Sequence, residues 1–354
     1  MIIIVSYDIR RRGGIERLTL QVRNSLAEGG KDVIILCAEA PLPGLLGRQI
    51  GRILFLIRLV WYIPRSELIL CMHALLLRPI RLILKIQRSE KPILCWVHGV
   101  EVWGEHLRKV QTDLLACDQL IASSHYTRNQ IYRQKAQWPI THVINPMADL
   151  MDPNELPTVK RSGFTFLTVA RMEAKERYKG HRLIIEALTQ LKKEGVISNN
   201  WQWRIVGDGN DSGRLQQEVQ TRQLDPWIQF VGGISDAQLR QELRECSLLV
   251  MPSRCGENEN GAPCGEGFGI VYLEAAVAGR ASIACNEGGQ TDLILNGQTG
   301  WLIGDDSREL AQLLLYLSQN PNEVRAIGLA ARERALSHFG KARFSEQVMS
   351  SLIT

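Results

Sequence analysis

The chain has 354 residues, 45% of them hydrophobic and 22% charged, with 30 Gly and 13 Pro. That length suggests two domains of ordinary size, and the composition excludes a disordered or collagen-like chain. No apolar run approaches the roughly 18 residues a spanning helix needs, so a polytopic membrane protein is excluded, and no signal peptide is expected. The net charge of +5 hides an asymmetry: residues 1–160 hold 21 Lys/Arg against 14 Asp/Glu, and the rest 21 against 23. Within the first part, residues 41–91 carry nine basic groups and two acids. One half should therefore face something anionic. Eight cysteines with no C-x-x-C pair read as reduced thiols, and the expected location is cytoplasmic. Cys255 and Cys264 share a Gly-rich loop, where pairing or metal binding is the alternative to two reduced thiols.

Short apolar runs alternate with helical periods along the whole chain. Residues 2–6, 32–37, 67–72, 92–97, 119–122 and 142–145 read as strands, with helices near 14–28, 44–63, 74–88, 103–116 and 124–135. Residues 151–163, with two prolines, a glycine and no apolar period, read as a linker. The alternation restarts with strands at 164–170, 203–206, 228–231, 247–251, 281–284 and 300–303. The expected fold is α/β, with two doubly wound Rossmann-like domains facing a central cleft. The expected domains are 1–150 and 164–335, with 336–354 forming a C-terminal helix that returns to the first domain. Ligands of such sheets sit at the carboxyl ends of the strands.

Chemistry-bearing residues fall at those ends. Gly13-Gly14 opens the first helix, where bare backbone and helix amides suit an anion, a plain strand–helix turn being the alternative. His98 ends the fourth strand, where a structural role bonding a loop carbonyl is the other reading. Arg171 follows the first strand of the second domain, and Lys179 opens the next helix; the two cations suit a phosphate pair. The stretch Gly265-Glu266-Gly267-Phe268-Gly269-Ile270 leads into a helix bearing Glu274. Its glycines let backbone wrap an anion at a helix N-terminus, and the two acids can bracket a ligand and accept from hydroxyls.

In this order and spacing the motifs resemble those of a family 4 glycosyltransferase, a retaining, nucleotide-sugar-dependent enzyme of the GT-B fold. The resemblance rests on Gly13-Gly14, the His98 loop, Val143-Ile-Asn-Pro146, Val169-Ala-Arg171 with Lys179-Gly180, and Val206-Gly-Asp-Gly209. It continues through Phe230-Val-Gly232, Met251-Pro-Ser253, Glu266 to Glu274 as E-x7-E, Gly288-Gly289 and Gly297-Gln-Thr-Gly300. It implies that Arg171 and Lys179 hold the donor diphosphate, with Gly14 touching it from the opposite domain. It further implies that Glu266 bonds the transferred sugar and Glu274 the ribose, and that the backbone of Gly267, Phe268, Gly269 and Ile270 meets sugar or phosphate. His98 would lie beside the donor sugar, and Gly232, Gly233 and Ile234 would border the base. No D-x-D pair is present, so no metal and no cofactor beyond the nucleotide-diphosphate sugar are expected.

The acceptor should lie on the basic first domain. Residues 45–63 are apolar, aromatic-tipped and basic with no acid, a composition suited to an anionic membrane surface; a buried crossover helix is the competing reading. A lipid-linked hydroxyl acceptor, in polysaccharide or glycolipid synthesis at the cytoplasmic membrane face, fits that surface. Nucleic acid is not expected, since the basic segment carries no recognition motif. The rival readings are a nucleotide-sugar epimerase on the same scaffold and a non-catalytic sugar-nucleotide-binding partner.

Overall fold

A computed structural model of the chain describes residues 1–352 apart from 8, 11–12, 39–43, 134–136, 156, 158–160 and 162, and the side chains of residues 44, 46 and 48. The chain forms two compact units, residues 1–147 with 341–354, and residues 148–340. In unit 1, strands β1 (Ile2–Ser6), β2 (Val33–Cys37), β3 (Leu68–Cys71), β4 (Ile93–Val97), β5 (Gln119–Ala122) and β6 (Ile140–Val143) alternate with helices. The helices are α1 (Gly14–Glu28), α2 (Gly44–Tyr62), α3 (Leu77–Gln87), α4 (Gly104–Leu114) and α5 (His125–Tyr132). The strands lie parallel in the order β2-β1-β3-β4-β5-β6. Both faces of the central strands are covered, which is why β1, β3, β4 and β5 are unbroken runs of buried residues rather than alternating ones.

Unit 2 repeats the plan. Its strands are β7 (Phe164–Val169), β8 (Trp201–Val206), β9 (Ile228–Gly232), β10 (Leu248–Met251), β13 (Ser282–Cys285) and β14 (Trp301–Ile303), ordered β14-β13-β10-β7-β8-β9. Between and after them come α6 (His181–Lys193), α7 (Ser212–Thr221), α8 (Asp236–Glu245), α9 (Ile270–Val277), α10 (Ser307–Gln319) and α11 (Pro321–His338). A two-stranded hairpin, β11 (Gly256–Glu257) with β12 (Pro263–Cys264), occupies the long stretch before Gly265. The eight cysteines are free thiols, Cys255 and Cys264 of this hairpin region included.

Three details differ from the expected pattern. The sixth strand runs Ile140–Val143, two residues earlier than expected, and beyond its end Asn145 donates from Nδ2 to the Ser123 carbonyl at 3.1 Å. The described residues of 151–163 are bound to unit 2 rather than free. Leu150 and Met151 are buried in its core, and Arg332 donates to the carbonyls of Pro153 (2.6 Å) and Glu155 (2.8 Å). Arg161 pairs with Glu242 and Glu245; residues 156, 158–160 and 162 lie outside the described residues. Finally, residues 336–354 are not one helix. α11 runs to His338, and α12 (Lys341–Ser350) then packs on α1, with Phe344 and Val348 buried in the core of unit 1.

Candidate functional site

In unit 1 the site residues gather at the carboxyl edge of the sheet. α1 begins directly at Gly14, and its first turn carries Glu16, an acid already placed at the positive end of the helix. Arg11 and Arg12 of the preceding loop lie outside the described residues. His98, just past β4, is half-buried. Its Nε2 lies 2.6 Å from the Met72 carbonyl and its Nδ1 3.2 Å from Ser123 Oγ. Glu101 accepts from the backbone amides of His98 and Gly99. Burial pushes the imidazole pKa down, against the opposing pull of Glu101. The ring is therefore a neutral, oriented group whose nitrogens are both engaged, not a free base.

Two neighbours escaped the sequence reading. Tyr7 follows β1 and His73 follows β3; their rings meet edge to face at 5.0 Å, and His73 stands 6.5 Å from the His98 ring. Burial lowers the His73 pKa and raises that of Tyr7. Their position just past strand ends was the available signal.

In unit 2, Arg171 leaves β7 with an exposed side chain and pairs with Glu176 at 2.7 Å. The central feature is Lys179 Nζ at 2.6 Å from Glu266 Oε1, both side chains largely buried. Burial alone would lower the Lys179 pKa, but the facing Glu266 carboxylate outweighs it and the value is raised. Two residues 87 apart, expected to serve different parts of a donor, thus neutralise each other across the strand ends. Beside them burial pushes the Tyr178 hydroxyl up to about 12 and the His181 ring down to about 4, so both are neutral at pH 7.

The glycine turn leads directly into α9. Gly269 has φ +84°, and a Cβ there would lie 2.5 Å from the Tyr272 ring. Gly289 donates its amide to the Glu266 carbonyl at 2.8 Å, and its missing side chain lets that backbone lie against Gly267 and Phe268. The amide end of α9, starting at Ile270, carries no side-chain cap, so its donors are open to an anion. Phe268, however, turns its ring into the core against Phe339, 6.1 Å away. Only its backbone is left for a ligand. Glu274 is 2% exposed, so its carboxylate lies inside unit 2 rather than on the outer face of α9.

The turn after β9 contains Gly232 (φ +78°), whose carbonyl accepts from Gly207, and Gly233, packed against the Asp208 carboxylate. Ile234 packs against the core, and Ser235 then caps α8. A cavity of about 470 Å³ is lined by Arg171, Glu176, Tyr178, His181 and Asp211 but not by Lys179 or Glu266. Among the described residues no three His, Cys, Asp or Glu side chains stand together as a metal site.

The profile of the family "Glycosyl transferases group 1" matches residues 158–334, 177 of the 354 residues. The chain belongs to this family. The match covers almost all of unit 2 and none of residues 1–157. Among relatives of this glycosyltransferase, the amylovoran biosynthesis glycosyltransferase AmsK of Erwinia amylovora is 28% identical over 176 residues, 49% of this chain and 41% of that protein. A GDP-mannose-dependent monoacylated alpha-(1-6)-phosphatidylinositol monomannoside mannosyltransferase of Corynebacterium glutamicum is 26% identical over 76% of this chain and 70% of its own length. The chain spans less than half of the Erwinia protein. In fold, the glycosyltransferase resembles Anabaena Alr3699/HepE, solved in complex with UDP and glucose. The TM-score is 0.77 at 19% identity, over 100% of this chain and 99% of that one. That likeness establishes the GT-B architecture.

Proposed function

We propose that this glycosyltransferase is a retaining enzyme that moves a hexose from a nucleotide-diphosphate sugar to a hydroxyl acceptor, without a metal ion. The observation that carries the reading is the Lys179–Glu266 pair beside the uncapped start of α9. A donor diphosphate arriving there offers Lys179 a second anionic partner and can draw it from Glu266. The carboxylate so released accepts from the sugar hydroxyls. As the bond from the sugar to the diphosphate breaks, positive charge grows at the sugar and negative charge at the leaving phosphate. Once the donor has drawn Lys179 from Glu266, Lys179, Arg171 and the amides at 267–270 meet the phosphate charge as it develops. Glu274 is assigned to the ribose, Gly232 to Ile234 to the base, Gly14 to the diphosphate and His98 to the sugar. Support for a nucleotide donor comes from the UDP and UDP-glucose complexes of the Anabaena protein.

We further assign a lipid-linked acceptor at an anionic membrane face. The Corynebacterium relative acts on a phosphatidylinositol mannoside by name. On α2, Phe55 and Leu59 are buried while Ile53, Ile57, Val60 and Trp61 are all at least half exposed, and Arg52 and Arg58 stand beside them. Among the described residues no helix is long and apolar enough to cross a membrane.

The reading is tested by incubating the protein with UDP-, GDP- and ADP-sugars after a thermal-shift screen. Binding at a hundredfold excess over Kd stabilises by about 2.7 kcal/mol. Turnover should persist in excess EDTA, with the product anomer matching the donor. Loss in EDTA with recovery on Mg²⁺ or Mn²⁺ would show a carboxylate site instead. The two acids should separate. Glu266→Gln removes the acceptor of the sugar hydroxyls and should lower kcat by about a hundredfold, whereas Glu274→Gln should act mainly on donor KM. Equal, small effects in both variants would remove the pair from the site.

A further inference from the structure

Both nitrogens of His98 are committed within unit 1, and for the neutral ring the donors and acceptors leave only one arrangement of protons. The Met72 carbonyl can only accept, so Nε2 at 2.6 Å carries the hydrogen. Nδ1 is then a lone pair, and Ser123 Oγ, 3.2 Å away, donates to it. The same Oγ accepts from Trp96 Nε1 at 3.0 Å, and an indole N–H can only donate. Trp96 and Ser123 are buried, and Ser123 is held in turn by Asn145, which donates to its carbonyl. Arg343 of α12 donates to the Asn145 carbonyl at 2.8 Å. Sequence alone left Ser123 and Asn145 without a role.

From this row of bonds the geometry points to Ser123 as a positioning residue for sugar transfer: its hydroxyl fixes His98 as the neutral Nε2–H tautomer with one ring orientation. The inference rests on the proposed assignment of His98 to the donor sugar. A transition state with cationic character at the sugar is disfavoured by a second cation nearby, so an imidazolium at position 98 would oppose the reaction. The ring is surrounded by groups that pull both ways. Glu101, across the adjoining turn, the Met72 carbonyl and Glu16, in the first turn of α1, favour the protonated ring, while burial, the largest influence, and the neighbouring His73 oppose it. Ser123 adds to the second set, because a hydroxyl donating to Nδ1 bonds only the unprotonated ring. Removing it frees Nδ1 to take a proton and leaves the two carboxylates less opposed, so the ring pKa rises.

The experiment uses the full chain with ¹⁵N-labelled histidine, as wild type, Ser123→Ala and Ser123→Thr. Ring nitrogen shifts are followed against pH, alongside kcat for the best donor. Wild type should show the Nε2–H form. In Ser123→Ala the His98 midpoint should rise by about one unit, and the acid limb of kcat should rise with it, with about a tenfold loss below that midpoint and little at pH 8. Ser123→Thr, which keeps the hydroxyl, should restore both. An Nδ1–H form in the wild type, or an unmoved midpoint in Ser123→Ala, would overturn the proposal. So would a shifted midpoint with an unshifted kcat profile, since Ser123 would then position a ring that the transfer does not use. Failure of the transferase reading itself shows separately, as absence of donor turnover by the wild type.

Discussion

Lys179→Ala should cut kcat by about a hundredfold or more, the scale expected when a preorganised cation facing developing charge is removed. It should also destabilise unit 2. Its loss leaves the Glu266 carboxylate buried without its partner, and breaking a buried pair on one side costs about 3–5 kcal/mol. The sign follows from the pKa. Glu266 raises the Lys179 value above its ordinary 10.5, so the contribution of the Lys179 charge is fully present at neutral pH and is lost only as the pH rises into strong alkali. At pH 7 the full penalty therefore applies. The two effects can be separated by Lys179→Ala combined with Glu266→Gln, which replaces the orphaned charge with a neutral amide. That double variant should recover most of the stability and none of the turnover. Near-wild-type kcat in Lys179→Ala, measured with folding checked by thermal melting, would take Lys179 out of the site. Recovery of turnover in the double variant would make the pair structural only.

The fold was legible because each β unit carries its own local signal. Runs such as 2–6 and 93–97 are apolar at every position, as strands covered on both faces must be, and glycine-marked turns follow several of them. The same signal located Arg171 and His98, since a polar residue directly after a strand lies on the carboxyl edge wherever the strand ends up in the sheet. What sequence spacing does not carry is which strand ends meet. Lys179 and Glu266 are joined by the placing of β10 beside β7, a crossover choice invisible in either motif. Ser123 reaches His98 because β5 lies next to β4, and Met72 because β3 lies on its other side. Phe268 illustrates another gap. The motif gave a role to the backbone of Phe268 and none to its ring; an aromatic side chain finds more apolar contact in the core, against Phe339, than on an open turn. The hairpin of β11 and β12 was hidden because two-residue strands have too few positions to show a period.

The protein should sediment with liposomes rich in anionic lipid, far less with neutral ones, and should be released by high salt. Gln87 of α3 donates to the Val60 carbonyl of α2 at 2.9 Å, so the helix ends lie side by side. Leu82 (56% exposed) and Ile86 (71%) add to the exposed apolar face of α2. Phe55, an inserting residue on composition, is buried and takes no part; Trp61 is exposed, with the Arg65 guanidinium 3.9 Å from its ring centre. Of the basic groups on the two helices, Arg81 and Arg78 lie at 2.5 Å and 3.7 Å from Asp113 and the Arg48 side chain is outside the described residues; Arg52, Arg58 and Lys85 remain as exposed charges near the apolar residues. Three such cations give about 3 kcal/mol at an anionic surface, fading within about 8 Å at physiological salt. That alone is weak, and insertion of Trp61, Ile57 and Ile86 supplies the rest. Arg52→Glu, Arg58→Glu and Lys85→Glu together should abolish vesicle binding, and Trp61→Ala with Ile57→Ser should weaken it even at low salt. Both sets change unit 1 away from His98, so slow hydrolysis of the donor sugar by water should survive in each. Wild-type protein remaining in the supernatant with anionic vesicles at low salt would leave the exposed face of α2 unexplained by lipid and would withdraw the main support for a membrane-bound acceptor.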